Sequence, residues 1–154
     1  VLSLGGTKNG CMGVEAVILF DPTRAEEFEF RRKRGGHLFS KHRYLSAQMA
    51  AYLREDLWLQ AARKANDAAA DLAHGLRTTG AGFLHDPDAN MLFPTFSRAA
   101  HQRLHEAGAK YYLWEGALDG SDPSEHLSAR LVCDWSTPPE NINLFLSHVA
   151  YAQS

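Results

Sequence analysis

The sequence predicts a mixed α/β chain whose second half is a smaller α+β lobe, and three observations carry that reading. A β-branched apolar run, "VEAVILF" from Val14 to Phe20, leads directly into Asp21-Pro22 and an amphipathic stretch, the order strand then helix. A long alanine-rich helical pattern follows and stops at Gly80 and Gly82. Beyond those glycines short alternating strands flank helices, which is α+β grammar.

Each element has its own signal. Asp21 can cap a helix with Pro22 at its first position, and the helix from about Thr23 through "RAEEFEFRRKR" is acidic at its start and basic at its end, as the helix dipole prefers. Gly35-Gly36 stops it. Leu45, Met49, Tyr52 and Leu53 mark a second helix with one apolar face. In the long helix, Trp58, Ala62, Ala65, Ala69, Leu72 and Leu76 keep three-four spacing, and the small side chains imply close packing. In the second half, "NMLFPTFS" reads as one short strand, and Ser97 caps the helix "RAAHQRLHEAGA". "KYYLWE" and "ARLVCDW" alternate as strands, joined by a polar, exposed connection "GALDGSDPSEH". Thr137 and Glu140 form a capping box for a last helix with Ile142, Phe145, Leu146 and Val149 on one face. The best domain boundary lies near Gly80 to Pro87: residues 1–80 complete a larger domain and its connector helix, and residues 81–154 form a small C-terminal α+β domain.

At 154 residues the chain has the length of one domain or two small lobes. A formal charge of -2 argues against a general nucleic-acid binder, which needs a positive surface to displace counterions. No apolar run approaches the length of a membrane helix, so no membrane partner is expected. Two cysteines, Cys11 and Cys133, without a pairing pattern fit a reducing cytoplasm. The chain opens on the apolar "VLSL" without a methionine, which reads as entry into the middle of a fold and leads us to expect an earlier part.

Lys8 is the residue with the most chemical promise. A lysine amine held near a carbonyl can form a Schiff base with a substrate or with pyridoxal phosphate. In "GGTKNG" the flanking glycines let the backbone approach a bulky group, and Thr7 and Asn9 add hydrogen-bonding side chains. Taken alone the motif equally describes a solvated turn lysine, because lysines are mostly exposed. Arg130, at the start of an apolar strand, has a planar fork of donors suited to a carboxylate, or it pairs with an acid at a sheet edge. His101 and His105 lie on one helical face, yet no HExxH pattern accompanies them, so core or surface histidines are expected and no metal site. Cys133 is expected to pack as a small hydrophobe.

The stretch "SLGGTKNGCMGVEAVILFDPTRAEEFEFRRKRGGHLFSKHRYLSAQMAAYL" resembles the lysine-bearing segment of the low-specificity L-threonine aldolases, pyridoxal-phosphate enzymes of the β-eliminating lyase and aldolase group. The order Thr-Lys, small-residue turn, strand, basic helix and double glycine carries the resemblance, which continues more loosely to the C-terminus. The resemblance implies the C-terminal part, a little under half, of a fold type I (aspartate aminotransferase-like) enzyme: the end of its large domain and its small domain. It implies Lys8 as the lysine that carries the cofactor, Thr7 beside it, and Arg130, in "SARLVCDW", as the arginine that pairs with the substrate carboxylate. Lys33, Arg34, Lys41, His42 and Arg43 match a region near the cofactor and a subunit interface, although a solvated helix end accounts for most of them. The implied reaction is cleavage of threonine or allo-threonine to glycine and acetaldehyde, by a homo-oligomer, dimer or tetramer. The rivals are a non-catalytic remnant or interaction module of the same fold and another fold type I β-eliminating lyase. These residues alone are expected to have little or no aldolase activity.

Overall fold

The computed structural model describes residues 1–38 and 40–150; the basic island's Phe39 lies outside the described residues. The chain divides into two compact units, Val1–Ala61 and Ala62–Ser154. The two units meet within the long helix, between Ala61 and Ala62.

The first unit opens with a β-hairpin. Strand β1 (Leu2–Gly5) runs antiparallel to β2 (Glu15–Ile18), with Leu2 opposite Ile18 and Gly5 opposite Glu15. The apolar run is therefore a shorter strand than its sequence suggests, and it is not a buried one: Val17, Ile18 and Phe20 are exposed. Two strands leave both faces of a ribbon open, and only Val14, at the start of the run, is enclosed. Asp21 accepts a hydrogen bond from the Thr23 amide, and Pro22 opens a single 3-10 turn that leads into helix α1 (Ala25–Arg34). Gly36, with φ of 75°, turns the chain out of that helix in a conformation that costs a side chain-bearing residue strain. Helix α2 (Arg43–Leu53) follows, and its Tyr52 is buried. Glu55 and Asp56 both hold positive φ before helix α3 (Leu57–Thr78) begins.

The second unit is built on a five-stranded antiparallel sheet whose hub is β7 (His126–Val132). One side of β7 pairs with β6 (Tyr112–Glu115), through a bulge at Trp114. Its other side pairs with β5 (Pro94–Ser97) and then β4 (Met91–Leu92), while β3 (Gly82–Phe83) adds to β5. The single strand expected over "NMLFPTFS" is thus two strands. Pro94 has no amide hydrogen, and the Phe93 carbonyl accepts from Leu84 N, so the ladder to β7 breaks there.

Helix α3 from Ala69 onward, α4 (Arg98–Glu106) and α5 (Pro139–Ala150) cover one face of this sheet. Their core joins Ala69, Leu72, Ala73 and Leu76 to Phe96, Leu104, Leu131, Ile142 and Val149. The close packing implied by the small residues of α3 is present: a methyl group at Gly75 would collide with Leu146 of α5. Cys133 is buried in this core, where desolvation pushes its thiol pKa up. One capping expectation fails. The Thr137 hydroxyl donates back to the Asp134 carboxylate and accepts from the Asp134 amide, so it is turned away from Glu140, and α5 begins at Pro139. Among the described residues no helix is long and apolar enough to cross a membrane.

Candidate functional site

Lys8 stands in the loop that joins β1 to β2, and its neighbours brace that loop on both sides. Gly6 donates its amide to the Val14 carbonyl at 2.9 Å, and its own carbonyl accepts from the amides of Asn9 and Cys11. Gly6 is buried where a methyl group would crowd the side chains of Cys11 and Val14, so a larger residue would force them to shift. The Thr7 hydroxyl accepts from the Val14 amide at 3.2 Å. Asn9 reaches furthest: its amide nitrogen donates to the Tyr52 hydroxyl at 2.5 Å and to the Trp58 carbonyl at 3.1 Å. Gly13 N, on the far side of the loop, donates to Gln48 Oε1 at 3.2 Å. A hairpin loop of this length would otherwise wander; here it is tied to α2 and to the start of α3. The Lys8 side chain itself is exposed and forms no ion pair among the described residues. The result is a backbone braced on both sides of an exposed amine that has no ion-pair partner among the described residues.

Arg130 lies on β7, the central strand, and not at an edge. Its guanidinium carbon sits 5.5 Å from the centre of the Tyr112 ring, and Tyr112 is its direct cross-strand partner on β6. No acid lies within ion-pair distance of it among the described residues. The basic island is mostly solvated: Lys33, Arg34, Lys41 and Arg43 are exposed, and Arg43 lies 6.0 Å from the ring of its neighbour Tyr44.

Of the two histidines His101 belongs to the interior, whereas His105 is half-buried. His101 is fully buried and hydrogen-bonded at both ring nitrogens, and among the described residues no cluster of three metal-binding side chains occurs. A cavity of about 440 Å³ lies between α4, α5 and the end of β7, lined by Leu104, Tyr111, Leu131, Ile142 and Phe145. It contains neither Lys8 nor Arg130, so it is not the candidate site.

Sequence reasoning missed Arg98. It stands at the start of α4, is 3% exposed, donates to the carbonyls of Ala117 and Asp122, and pairs with Glu125 at 2.5 Å. The connection "GALDGSDPSEH" is consequently organised around a buried guanidinium. Gly120 was a faint signal of this, since a side chain there would strike Arg98.

No family model matches the chain. It is 35% identical over 143 residues to the low specificity L-threonine aldolase of Pseudomonas aeruginosa, across 92% of this chain and 39% of that protein. It is 34% identical over 138 residues to the low specificity L-threonine aldolase of Pseudomonas sp. strain NCIMB 10558, across 89% of this chain and 37% of that protein. Among solved structures, a threonine aldolase of Leishmania major superposes with a TM-score of 0.88 at 24% identity, over 99% of this chain and 43% of that chain. The chain thus resembles the low-specificity threonine aldolases along nearly all of its own length, and its fold is the α/β architecture of part of a fold type I enzyme. It spans about two-fifths of the length of the curated relatives it matches.

Proposed function

We propose that these residues are the C-terminal portion of a pyridoxal-phosphate-dependent threonine aldolase, an aldehyde-lyase that cleaves threonine or allo-threonine to glycine and acetaldehyde. The observation that carries the reading is 35% identity to such an enzyme across 92% of the chain. The site geometry is in keeping with it. Lys8 would hold the cofactor through its amine, on a loop kept in place by Asn9 and Thr7. The Thr7 hydroxyl reaches the Val14 carbonyl only at 3.5 Å, so its proton would be available to donate to an oxygen of the cofactor. Arg130 would receive the substrate carboxylate on its free donor edge, which fixes the amino acid's orientation relative to the breaking bond. When bound, pyridoxal phosphate supplies the electron sink for cleavage between Cα and Cβ. The groups around its phosphate and ring, and the base for the β-hydroxyl, are not assigned to any residue of this chain.

In this reading the working enzyme is a cytoplasmic homo-oligomer, a dimer or tetramer, with neither nucleic acid nor membrane as a partner. The two free cysteines, Cys11 and Cys133, suit a reducing compartment. The 154 residues taken by themselves are expected to show little or no aldolase activity, because the matched portion is two-fifths of such an enzyme.

A chimera tests this directly: these residues replace the matched portion of the Pseudomonas aeruginosa aldolase, and acetaldehyde release from L-threonine is followed. Activity that disappears in Lys8→Ala is the expected outcome. A folded, cofactor-loaded chimera that is equally active with and without Lys8 would overturn the assignment. A folded chimera with no activity at all would favour a non-catalytic module of the same fold.

A further inference from the structure

The sheet of the second unit has one face covered by α3, α4 and α5. Directly opposed residues of antiparallel strands project to the same face, so Tyr112 and Arg130 stand together. Ala129 and Leu131 belong to the helix-covered core, and side chains alternate along a strand. Arg130 and Tyr112 therefore occupy the opposite face, the one away from the helices. Glu115 shares that face, because it opposes Ser128, two residues from Arg130, yet it forms no ion pair with the arginine.

Tyr112 is a large aromatic residue left 73% exposed, with a guanidinium over its ring. A ring and a carboxylate hold an arginine in different ways. A carboxylate occupies the N–H donors, and the fork is then spent. A ring attracts the cation through its quadrupole and leaves the donors unused. Holding the side chain in one place also removes part of the rotamer entropy that a long arginine would lose on binding.

We propose that Tyr112 is a positioning residue for Arg130: its ring holds the guanidinium in place while leaving the donor edge free for the carboxylate of an α-amino acid. The inference rests on the reading of Arg130 as the carboxylate anchor and adds the group that prepares it. Tyr112 acts through Arg130 and touches no substrate.

The test uses the chimera of these residues with the remainder of the Pseudomonas aeruginosa aldolase, and glycine as the probe, followed at the Arg130 Nε–H resonance by NMR. In the unmodified chimera that proton is shifted upfield by the ring and moves on titration with glycine. Tyr112→Leu and Tyr112→Val, which suits a strand, are expected to abolish the upfield shift. Both weaken glycine binding by about two- to fivefold, the size of an exposed cation–π contact. Tyr112→Phe, which keeps the ring, restores both readouts. A purely structural role would not be rescued in this way at the arginine's own resonance. If glycine affinity in Tyr112→Leu and Tyr112→Val equals that of the unmodified chimera while Arg130→Gln abolishes binding, the proposal is wrong and the Arg130 anchor stands. If glycine leaves the Arg130 resonance unmoved, or Arg130→Gln binds it equally well, the anchor fails and this inference goes with it.

Discussion

A histidine with no solvent exposure must find a partner for each ring nitrogen, and His101 does so within its own unit. Nε2 lies 3.0 Å from the Leu127 carbonyl, which can only accept, so this nitrogen carries the proton. Nδ1 then accepts from the Tyr111 hydroxyl at 2.9 Å, and the ring stacks on Phe96 with centres 3.9 Å apart. A neutral ring satisfies every contact; a charged one has lost its water. Burial accordingly lowers the His101 pKa from 6.5 to about 4, with the nearby His105 and His126 adding to the effect and the Leu127 bond opposing it. The folded value lies below the unfolded one, so the stabilising contribution is fully present above about pH 6.5 and is lost as pH falls through about 4. Urea unfolding is expected to show a loss on the order of 3 kcal/mol across that window. His101→Gln, less stable at neutral pH, should show a clearly flatter profile over the same range. The sequence placed this residue with His105 on one helical face and favoured a core or surface role over a metal site, but two bonds to partners 10 and 26 residues away are invisible to local spacing.

Helix α4 shows how an element's start can be half legible. Ser97 caps it as its sequence position suggests, accepting from the Ala100 amide. The other exposed amides of that first turn are met by the distant loop: Arg98 N donates to the Glu125 carbonyl at 2.8 Å and Ala99 N to the Pro123 carbonyl at 3.0 Å. Arg98 then clamps the same loop with its side chain. Hydrogen bonds to a buried charge are worth more than neutral ones, and Glu125 stays partly solvated when its partner is removed. Arg98→Met is therefore expected to destabilise the second unit by about 2–3 kcal/mol, read as a lower denaturant midpoint. Arg98→Lys should recover little of this, since Nε, Nη1 and Nη2 each serve a different acceptor, at Ala117, Asp122 and Glu125, and a compact ammonium does not span that spread. The hairpin loop of Lys8 follows the same logic. Its turn residues were readable, but the brace from Asn9 to Tyr52 and Trp58 spans more than forty residues and needed the fold.

At the scale of the whole molecule the two units differ in what holds them. The second has a continuous apolar core under a five-stranded sheet. The first has a two-stranded ribbon, a helix α1 with no buried residue, and one buried tyrosine in α2. Local opening should follow that contrast. In native-state hydrogen exchange, amides of β5, β7 and α4 are expected to be the slowest, and those of β1 and β2 to exchange many-fold faster; equal protection would show that the ribbon is not the weaker element. Helix positions, their caps at Asp21 and Ser97, and the stop at Gly36 were all determined by sequence, because those signals act within a turn or two of chain. The order of residues around Lys8 also sufficed to recognise the aldolase resemblance. Long-range placement was not encoded in any such local pattern. That β7 is the hub, that Arg130 faces a ring and not an acid, and that Arg98 is buried under a polar loop depend on which strands pair and which face the helices cover. Only closure of the chain on itself brings those groups within hydrogen-bonding and van der Waals range.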